Sequence, residues 1–263
     1  MTVTYASYLK IPELLSLQQP ESGRDGTAEH DETLFIVIHQ VYELWFKQQI
    51  HECSLLQRCL EAGDDPMAVA TLRRMLTILK VMVSQLDVLE TMTPLGFHSF
   101  RARLQSSSGF QSAQFRVFET VLGNRRESAR TQFPDGSSEQ AAVAAAWSRP
   151  TLWQSFLRRI ARSGFPVPAS EMDGVRQAPC EPSTALQDIL LDVYRNRPPE
   201  RVICELIVDF DEGLQEWRYR HMKMVERTIG FKQGTGGSPG VPYLRSTIST
   251  SLFPDLWAIR TRF

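Results

Sequence analysis

A long run of apolar side chains towards the C-terminal end constrains the fold of this chain more than any other feature. From Glu200 onward, an apolar or aromatic residue returns every three or four positions, which is the spacing that places side chains on one face of an α-helix. Gly230 follows the run as a helix stop. The members of this face are Ile203, Ile207, Phe210, Leu214, Trp217, His221, Met224 and Thr228.

A second strong helical pattern covers residues 32–60. Phe35, His39, Tyr42 and Phe46 are spaced by four, three and four positions, so they share one helix face. Acidic residues at the start of this segment suit the positive end of a helix dipole. The pattern predicts a long helix with an aromatic face that also carries a histidine.

Further helices are predicted along the rest of the chain. One opens at Asp65, which is followed by proline at the first helical position, and stops before Pro94. Shorter helical stretches cover residues 97–104, 110–122 and 141–160, and the last is interrupted near Pro150. Because no segment shows the alternation of a half-buried strand, we expect an all-α protein.

Length and composition favour a single domain over residues 1–263. The chain is short enough for one large domain at roughly 150 residues per domain. Residues 124–140 are polar and contain a turn signal, and residues 163–182 are rich in proline. We therefore expect one domain with a variable segment at about 124–182, whose first part is a surface excursion.

Charge and cysteine content exclude several classes of protein. Lys plus Arg is 29 and Asp plus Glu is 30, so the net charge of −1 argues against a chain built to bind nucleic acid. No apolar stretch approaches the ~20 residues of a membrane span, and the first residues lack the pattern of a signal peptide. The four cysteines form no C-x-x-C pair, which favours a reduced, cytoplasmic setting.

Two histidines are candidates for chemistry. His221 lies within the apolar face of the last long helix, where it is either a core histidine or an axial ligand of a heme iron. Arg218 and Arg220 flank it and could pair with carboxylates, including those of heme. His39 lies among aromatic residues, which suits a core histidine and equally a pocket for a flat polar ligand.

Other metal and nucleotide sites are less well supported. His30-Asp31-Glu32, together with His39 or His51, is a weak candidate for a non-heme iron site. The glycine-rich loop at residues 234–240 matches neither a phosphate-binding loop nor a dinucleotide fingerprint. It is either a flexible turn or a loop that orders over a ligand. Arg101, in an aromatic-rich short helix, either reaches water or binds a carboxylate.

Blocks of sequence spread over nearly the whole chain resemble the tryptophan 2,3-dioxygenase family. They occur in the same order as in that family, and several are long. The matching blocks are Tyr8-Leu9, Leu14-Leu15, Gln18-Gln19-Pro20, His30-Asp31-Glu32-Thr33-Leu34-Phe35-Ile36, His39-Gln40, Glu43-Leu44-Trp45, Phe100-Arg101, Ser108-Gly109-Phe110-Gln111-Ser112, Arg220-His221, Ile229-Gly230, the loop at 234–240 with Tyr243-Leu244, and Phe253-Pro254-Asp255-Leu256-Trp257.

The resemblance implies a helical heme protein of long antiparallel helices that assembles as a homotetramer, a dimer of dimers. It implies that His221 is the axial ligand of the iron of heme b. On the other side of the heme, His39 would be the catalytic residue that accepts a hydrogen bond from the indole N–H. The remaining implied roles are substrate binding by Phe35, Phe97, Arg101, Leu104 and Thr235, heme contact by Ser108 and Gly109, and completion of a neighbouring subunit's pocket by Tyr5, Tyr8 and Leu9.

The implied reaction is insertion of O2 across the C2–C3 bond of the indole of L-tryptophan, which gives N-formylkynurenine, the first product of the kynurenine pathway. Pro239 stands where the common form of the family has a second serine in the loop, and proline changes how a loop can close. An alternative is a related monooxygenase that hydroxylates tryptophan or a substituted tryptophan in specialised metabolism. A heme-binding sensor without turnover and a helical scaffold without a cofactor are the other hypotheses.

Overall fold

The computed structural model describes residues 2–237 and 239–263, so the part of the predicted loop at Ser238 lies outside the described residues. The described residues form α-helices, 3₁₀ turns and connecting segments, with no strand among them. The α-helices of this part are α1 (Tyr5–Leu9), α2 (Ile11–Leu15), α3 (His30–Ala62), α4 (Asp65–Leu89), α5 (Pro94–Arg101), α6 (Ala113–Leu122), α7 (Glu127–Thr131), α8 (Ser138–Trp147), α9 (Leu152–Arg162), α10 (Ala169–Met172), α11 (Thr184–Asn196), α12 (Pro198–Ile229), α13 (Val241–Thr247) and α14 (Pro254–Ala258).

Three long helices build the core. α4 packs along both α3 and α12, and the apolar faces of the three helices meet in a continuous buried cluster. Leu56 of α3, Leu72 of α4 and Ile207 of α12 belong to these faces, and each is at most 1% exposed. The long helices predicted from periodicity are confirmed, with ends within a few residues of those expected.

Local sequence signals explain where these helices begin and end. The side chain of Asp64 accepts a hydrogen bond from the backbone N–H of Met67 at 3.1 Å, and Pro66 occupies the first turn of α4. Gly123 ends α6 with a φ of +114°, a conformation that residues with a Cβ rarely adopt. The helix predicted over 110–122 therefore ends as expected, but α6 begins only at Ala113, after a 3₁₀ turn.

The beginning of the predicted variable segment is buried, so the prediction of a surface excursion is wrong there. Arg125 is 1% exposed and donates hydrogen bonds to the carbonyl oxygens of Arg149 and Arg176, at 2.7 Å for the second. Its guanidinium also lies over the ring of Trp147. A polar sequence misled the prediction because arginine can be buried when carbonyl oxygens satisfy its donors.

The C-terminal segment is fastened to α12 by one buried carboxylate. Asp211 accepts hydrogen bonds from the backbone N–H groups of Leu252 and Phe253 and, at 2.9 Å, from the indole N–H of Trp257. α13 packs on the same helix. The segment that follows the glycine-rich loop is therefore held against α12. The packing of α13 on α12 positions one wall of a cavity.

The N-terminal helices α1 and α2 lie on the outside. Tyr5 and Tyr8 are 76% and 75% exposed, and Leu9 is 42% exposed. Glu32 fixes the segment that connects them to α3, because its carboxylate accepts hydrogen bonds from the backbone N–H groups of Glu21 and Ser22 at 2.9 and 3.0 Å. None of the helices in the described ranges is both long and apolar enough to cross a membrane.

Candidate active site

A cavity of about 560 Å³ lies between α3, α5 and α12 and is bordered by the segment at 107–112 and by the glycine-rich loop. Its size is within the range of pockets that bind small molecules and cofactors. Much of its lining is apolar or aromatic. These residues include Phe35, Tyr42, Phe46, Leu86, Leu89, Phe97, Leu104, Phe110, Phe115, Trp217, Met224, Val225 and Ile229.

Aromatic rings form the end of the cavity next to α5. The ring of Phe35 lies 5.7 Å from that of Phe97 and 5.6 Å from that of Phe100. Phe97 and Phe100 meet edge to face at 83°. Such edge contacts hold rings in fixed orientations, so this end offers a preformed apolar surface to a flat ligand.

His39 projects from α3 into the cavity, and a backbone carbonyl determines which of its ring nitrogens carries the hydrogen. Its Nδ1 lies 2.7 Å from the carbonyl oxygen of Phe35, which can only accept, so Nδ1 carries the hydrogen and Nε2 keeps its lone pair. The residue is exposed in the cavity, but enclosure by the surrounding protein lowers the pKa of His39 below its ordinary value. Near neutral pH the ring is therefore a hydrogen-bond acceptor at Nε2.

His221 projects into the same cavity from α12. Burial, together with the nearby His39, lowers the pKa of His221 to about 4. Neither ring nitrogen has a hydrogen bond to any residue in the described ranges. A neutral imidazole with a free nitrogen is the form that binds a metal ion, so this residue could serve as an axial ligand of a heme iron.

A group of arginines surrounds a single buried carboxylate at another part of the wall. Glu119, 5% exposed, accepts from Arg116 at 2.5 Å and from Arg126 at 3.0 Å, and Arg218 lies 3.6 Å away. Arg126 also donates to the hydroxyl of Tyr243 at 2.7 Å. This group joins α6, α12 and α13 around one carboxylate.

The ionic lining of the cavity is cationic overall. Arg101, Arg116, Arg126 and Arg218 face Glu43 and Glu119, so the described lining has four cations against two carboxylates. Two positive charges are thus available to an anionic ligand. A heme, which is flat and apolar and carries two carboxylates, fits the combination of an aromatic lining, a free imidazole and this excess of arginine.

Arg101 and Thr235 tie the glycine-rich loop to the rest of the wall. A guanidinium nitrogen of Arg101 donates to the carbonyl oxygen of Gln233 at 2.6 Å, and the hydroxyl of Thr235 donates to the carbonyl oxygen of Ser107. Most N–H groups of Arg101 therefore stay available for a carboxylate. The oxygen of Thr235, whose proton is already donated, is left as an acceptor, which suits an ammonium group.

The loop approaches the segment at 106–108 so closely that a side chain would not fit. A Cβ built on Gly236 would lie 2.6 Å from the Cβ of Ser108. Nearby, Gln105 has a φ of +50°, a strained conformation for a residue with a side chain, at a cost of about 1–3 kcal/mol. Close packing and strain meet where the loop covers the cavity, as is common at functional sites.

The structure brings most of the predicted site residues to this cavity. Those that line it are Phe35, His39, Phe97, Arg101, Leu104, Ser108, Gly109, His221 and Thr235. Tyr5, Tyr8 and Leu9 do not line the cavity of their own chain. The prediction that Arg220 could pair with heme carboxylates is wrong, because Arg220 pairs with Asp87 at 2.5 Å and with Glu90.

The alternative non-heme iron site is wrong. The carboxylate of Glu32 is occupied by backbone N–H groups, and His30 and His51 are exposed. Across residues 2–237 and 239–263, no three histidine, cysteine, aspartate or glutamate side chains are arranged to hold a metal ion. His30-Asp31-Glu32 instead forms the first turn of α3, where Glu32 binds the preceding segment.

Sequence reasoning missed the group around Glu119. Arg116, Arg126 and Tyr243 come from three separate segments, and only the fold brings them together. A partial signal existed, because Arg116 and Glu119 are three positions apart and so face the same side of α6. The block at 108–112, which precedes them directly, was already part of the resemblance.

Comparison with known proteins decides the family. The sequence profile of the tryptophan 2,3-dioxygenase family matches residues 1–148 and 182–263. The chain belongs to the tryptophan 2,3-dioxygenase family. Tryptophan 2,3-dioxygenase of Anaeromyxobacter sp. (strain K) is 56% identical to it over 261 residues, which cover 98% of this chain and 95% of the relative.

More distant members extend over the same length. The tryptophan 2,3-dioxygenase of Herpetosiphon aurantiacus is 53% identical over 258 residues, covering 98% of this chain and 97% of the relative. That of Caulobacter vibrioides is 40% identical over 265 residues, with coverage of 99% and 98%. The family profile leaves out residues 149–181, which lie within the predicted variable segment.

Proposed function

We propose that this chain is a heme-dependent tryptophan 2,3-dioxygenase that converts L-tryptophan and O2 to N-formylkynurenine. The observation that carries the proposal is a cavity that brings together His39, His221 and Arg101. Nε2 of His39 is available as an acceptor, His221 has no hydrogen bond to the described residues, and Arg101 bonds to the carbonyl oxygen of Gln233 but keeps donors for a ligand. Membership of the tryptophan 2,3-dioxygenase family supports the same activity.

His221 would hold the heme b iron as its axial ligand. The arginines around Glu119 would pair with the heme carboxylates, and Ser108 and Gly109 would lie near the heme edge. When bound, heme supplies the oxygen chemistry, and the protein supplies the ligand, the orientation of the substrate and the exclusion of water.

The side chains of the cavity would orient the amino acid. The indole would lie against Phe35, Phe97 and Leu104, and its N–H would donate to Nε2 of His39. Arg101 would bind the carboxylate in a bidentate manner, and the oxygen of Thr235 would accept from the ammonium group. These contacts would hold the indole in one orientation in the cavity.

His39 acts here by positioning and not as a base. Its Nδ1 proton is held by the carbonyl of Phe35, and its depressed pKa makes Nε2 a weak proton acceptor. The indole N–H therefore stays a hydrogen-bond donor. The loop contacts of Arg101 and Thr235 would help to exclude water from the bound substrate.

The subunit arrangement belongs to the same proposal. Tyr5, Tyr8 and Leu9 are exposed on α1 and would complete the cavity of a neighbouring subunit in a homotetramer. Sedimentation of the full chain tests the tetramer. A deletion of residues 2–9 should raise KM for tryptophan and leave heme content unchanged.

Product mass tests the reaction. The reduced, heme-loaded chain is mixed anaerobically with L-tryptophan, exposed to ¹⁸O2 and analysed by mass spectrometry. Two labelled oxygen atoms in one product are expected. One labelled atom would overturn the dioxygenase in favour of the monooxygenase, and no product from any indole would favour a sensor.

Heme retention tests the ligand. His221→Ala should lose the heme absorption band during gel filtration, whereas the matched variant His51→Ala, an exposed histidine on α3, should keep it. Normal retention by His221→Ala would show that another residue holds the iron.

A further inference from the structure

The rings of Trp217 and His221 lie parallel to each other, one turn apart on α12. Their centroids are 5.6 Å apart, and their planes differ by 9°. Residues four positions apart share a helix face, so α12 alone creates this contact. The distance is that of an offset stack, in which a flat neighbour restricts how the histidine ring can turn.

This stack stands where metal-binding histidines usually have a hydrogen bond. Such a histidine commonly donates its second ring N–H to a carbonyl or carboxylate, which fixes the ring and raises its basicity. His39 makes a bond of that kind to Phe35, four residues earlier, at 2.7 Å, with its ring tilted by 38° to the phenyl ring. At His221 the equivalent carbonyl, of Trp217, accepts no such bond, and the two rings are parallel instead.

Trp217 is itself firmly held. It is 8% exposed, and its ring packs against Phe115 at 5.4 Å, Phe46 at 6.1 Å and Tyr42 at 6.2 Å. The contact with Phe46 is edge to face at 87°. The indole is therefore a rigid surface anchored in α3 and α6 as well as in its own helix.

We propose that Trp217 is the positioning residue of His221 and takes the place of the missing hydrogen bond by stacking on the imidazole. This inference rests on the proposed function, in which His221 holds the heme iron. The axial ligand then keeps one orientation through packing, while among the described residues no carbonyl or carboxylate accepts its second ring N–H.

Replacing the indole with a flexible side chain should free the ligand ring. Trp217→Met fills most of the space without a flat surface, and Trp217→Leu is a second non-aromatic variant. Trp217→Phe keeps a ring at the same position. Trp153→Met is the matched control, because Trp153 is 1% exposed and does not line the cavity.

The readout is the iron–histidine stretching band of the reduced, heme-loaded full chain, measured by resonance Raman spectroscopy, with the rate of heme transfer to apomyoglobin. The wild-type chain, Trp217→Phe and Trp153→Met should each give one band. Trp217→Met and Trp217→Leu should give a split or broadened band and release heme roughly tenfold faster.

The outcomes separate this inference from the proposed function. A wild-type chain that binds no heme would overturn the proposed function. One unchanged band and an unchanged release rate in heme-loaded Trp217→Met or Trp217→Leu would overturn the positioning role alone. A band as broad in Trp217→Phe as in Trp217→Leu would also overturn it, because stacking by a ring would then have no effect.

Discussion

The Nδ1 atom of His39 lies 2.7 Å from the carbonyl oxygen of Phe35, one turn earlier on the same helix. This bond determines which ring nitrogen carries the proton, since a carbonyl oxygen cannot donate. The other nitrogen is thereby committed to accepting. The backbone of α3, and not a charged side chain, thus sets the chemical character of this side of the cavity.

Substrate binding by His39→Ala tests that assignment. The variant should bind L-tryptophan about 0.5–1.5 kcal/mol more weakly, roughly twofold to tenfold, because one neutral hydrogen bond is lost. 1-Methyltryptophan, which has no indole N–H, should bind the variant and the wild-type chain with similar affinity. Equilibrium titration of the heme-loaded chain provides both values, and an equal loss for the two ligands would contradict the role.

The pH dependence of binding follows from the lowered pKa of His39. Protonation of Nε2 would turn the acceptor into a donor and abolish the bond with the indole N–H. Because the folded protein holds this pKa below its ordinary value of 6.5, affinity for tryptophan should fall towards acidic pH with a midpoint below 6.5. Titrations from neutral to acidic pH check it, and a midpoint at or above 6.5 would be inconsistent with it. His39→Ala should lack the acidic fall.

Arg101→Gln should weaken tryptophan binding by about 1.5–3 kcal/mol, roughly 10- to 150-fold, since a charge-assisted contact with the carboxylate is removed. Tryptamine, which has no carboxylate, should bind both proteins alike. Arg220→Gln is the matched control, because that arginine pairs with Asp87 and Glu90 outside the cavity. Similar losses for tryptophan and tryptamine would show that Arg101 supports the loop and does not contact the substrate.

Gly236→Ala should impair closure of the loop. The added Cβ would lie 2.6 Å from the Cβ of Ser108, and relief of such overlap costs about 1–3 kcal/mol. We expect KM for tryptophan to rise roughly tenfold with little change in Tm, and Ser108→Gly in the same chain to restore part of it. Gly23→Ala, whose Cβ would meet nothing within 4 Å, is the control. A wild-type KM in Gly236→Ala would mean that the loop need not close.

Periodicity predicted the three long helices because each must bury one continuous apolar face, and that requirement is visible in the sequence of α12 itself. It did not predict α13. α13 is 7 residues long, and Val241 is its one buried residue, so its position depends on α12 and on the loop before it. Short helices whose packing partners are distant in sequence leave little periodic signal.

Most of the predicted site residues line one cavity, and the resemblance identified them residue by residue; the exceptions are Tyr5, Tyr8 and Leu9. The carboxylate that organises its arginines was not predicted. Glu119 looks from sequence like any acidic residue on a helix, and its burial and partners arise only when residue 126 and α12 converge on it. His221 shows the same limit, since periodicity places it on an inner face but cannot show that its nitrogens lack partners.

The N-terminal arm, formed by α1 and α2, is anchored to α3 by hydrogen bonds. The carboxylate of Glu32 accepts hydrogen bonds from the turn at Glu21 and Ser22, and the side-chain amide of Gln18 donates to Gln40 at 2.6 Å. The point at which α1 and α2 join the rest of the protein is therefore fixed. In the proposed tetramer each arm is covalently attached to one subunit and binds the neighbouring subunit. Its effective concentration at that neighbour is on the order of millimolar. Contacts too weak to bring two free molecules together would then suffice to keep the arm in place.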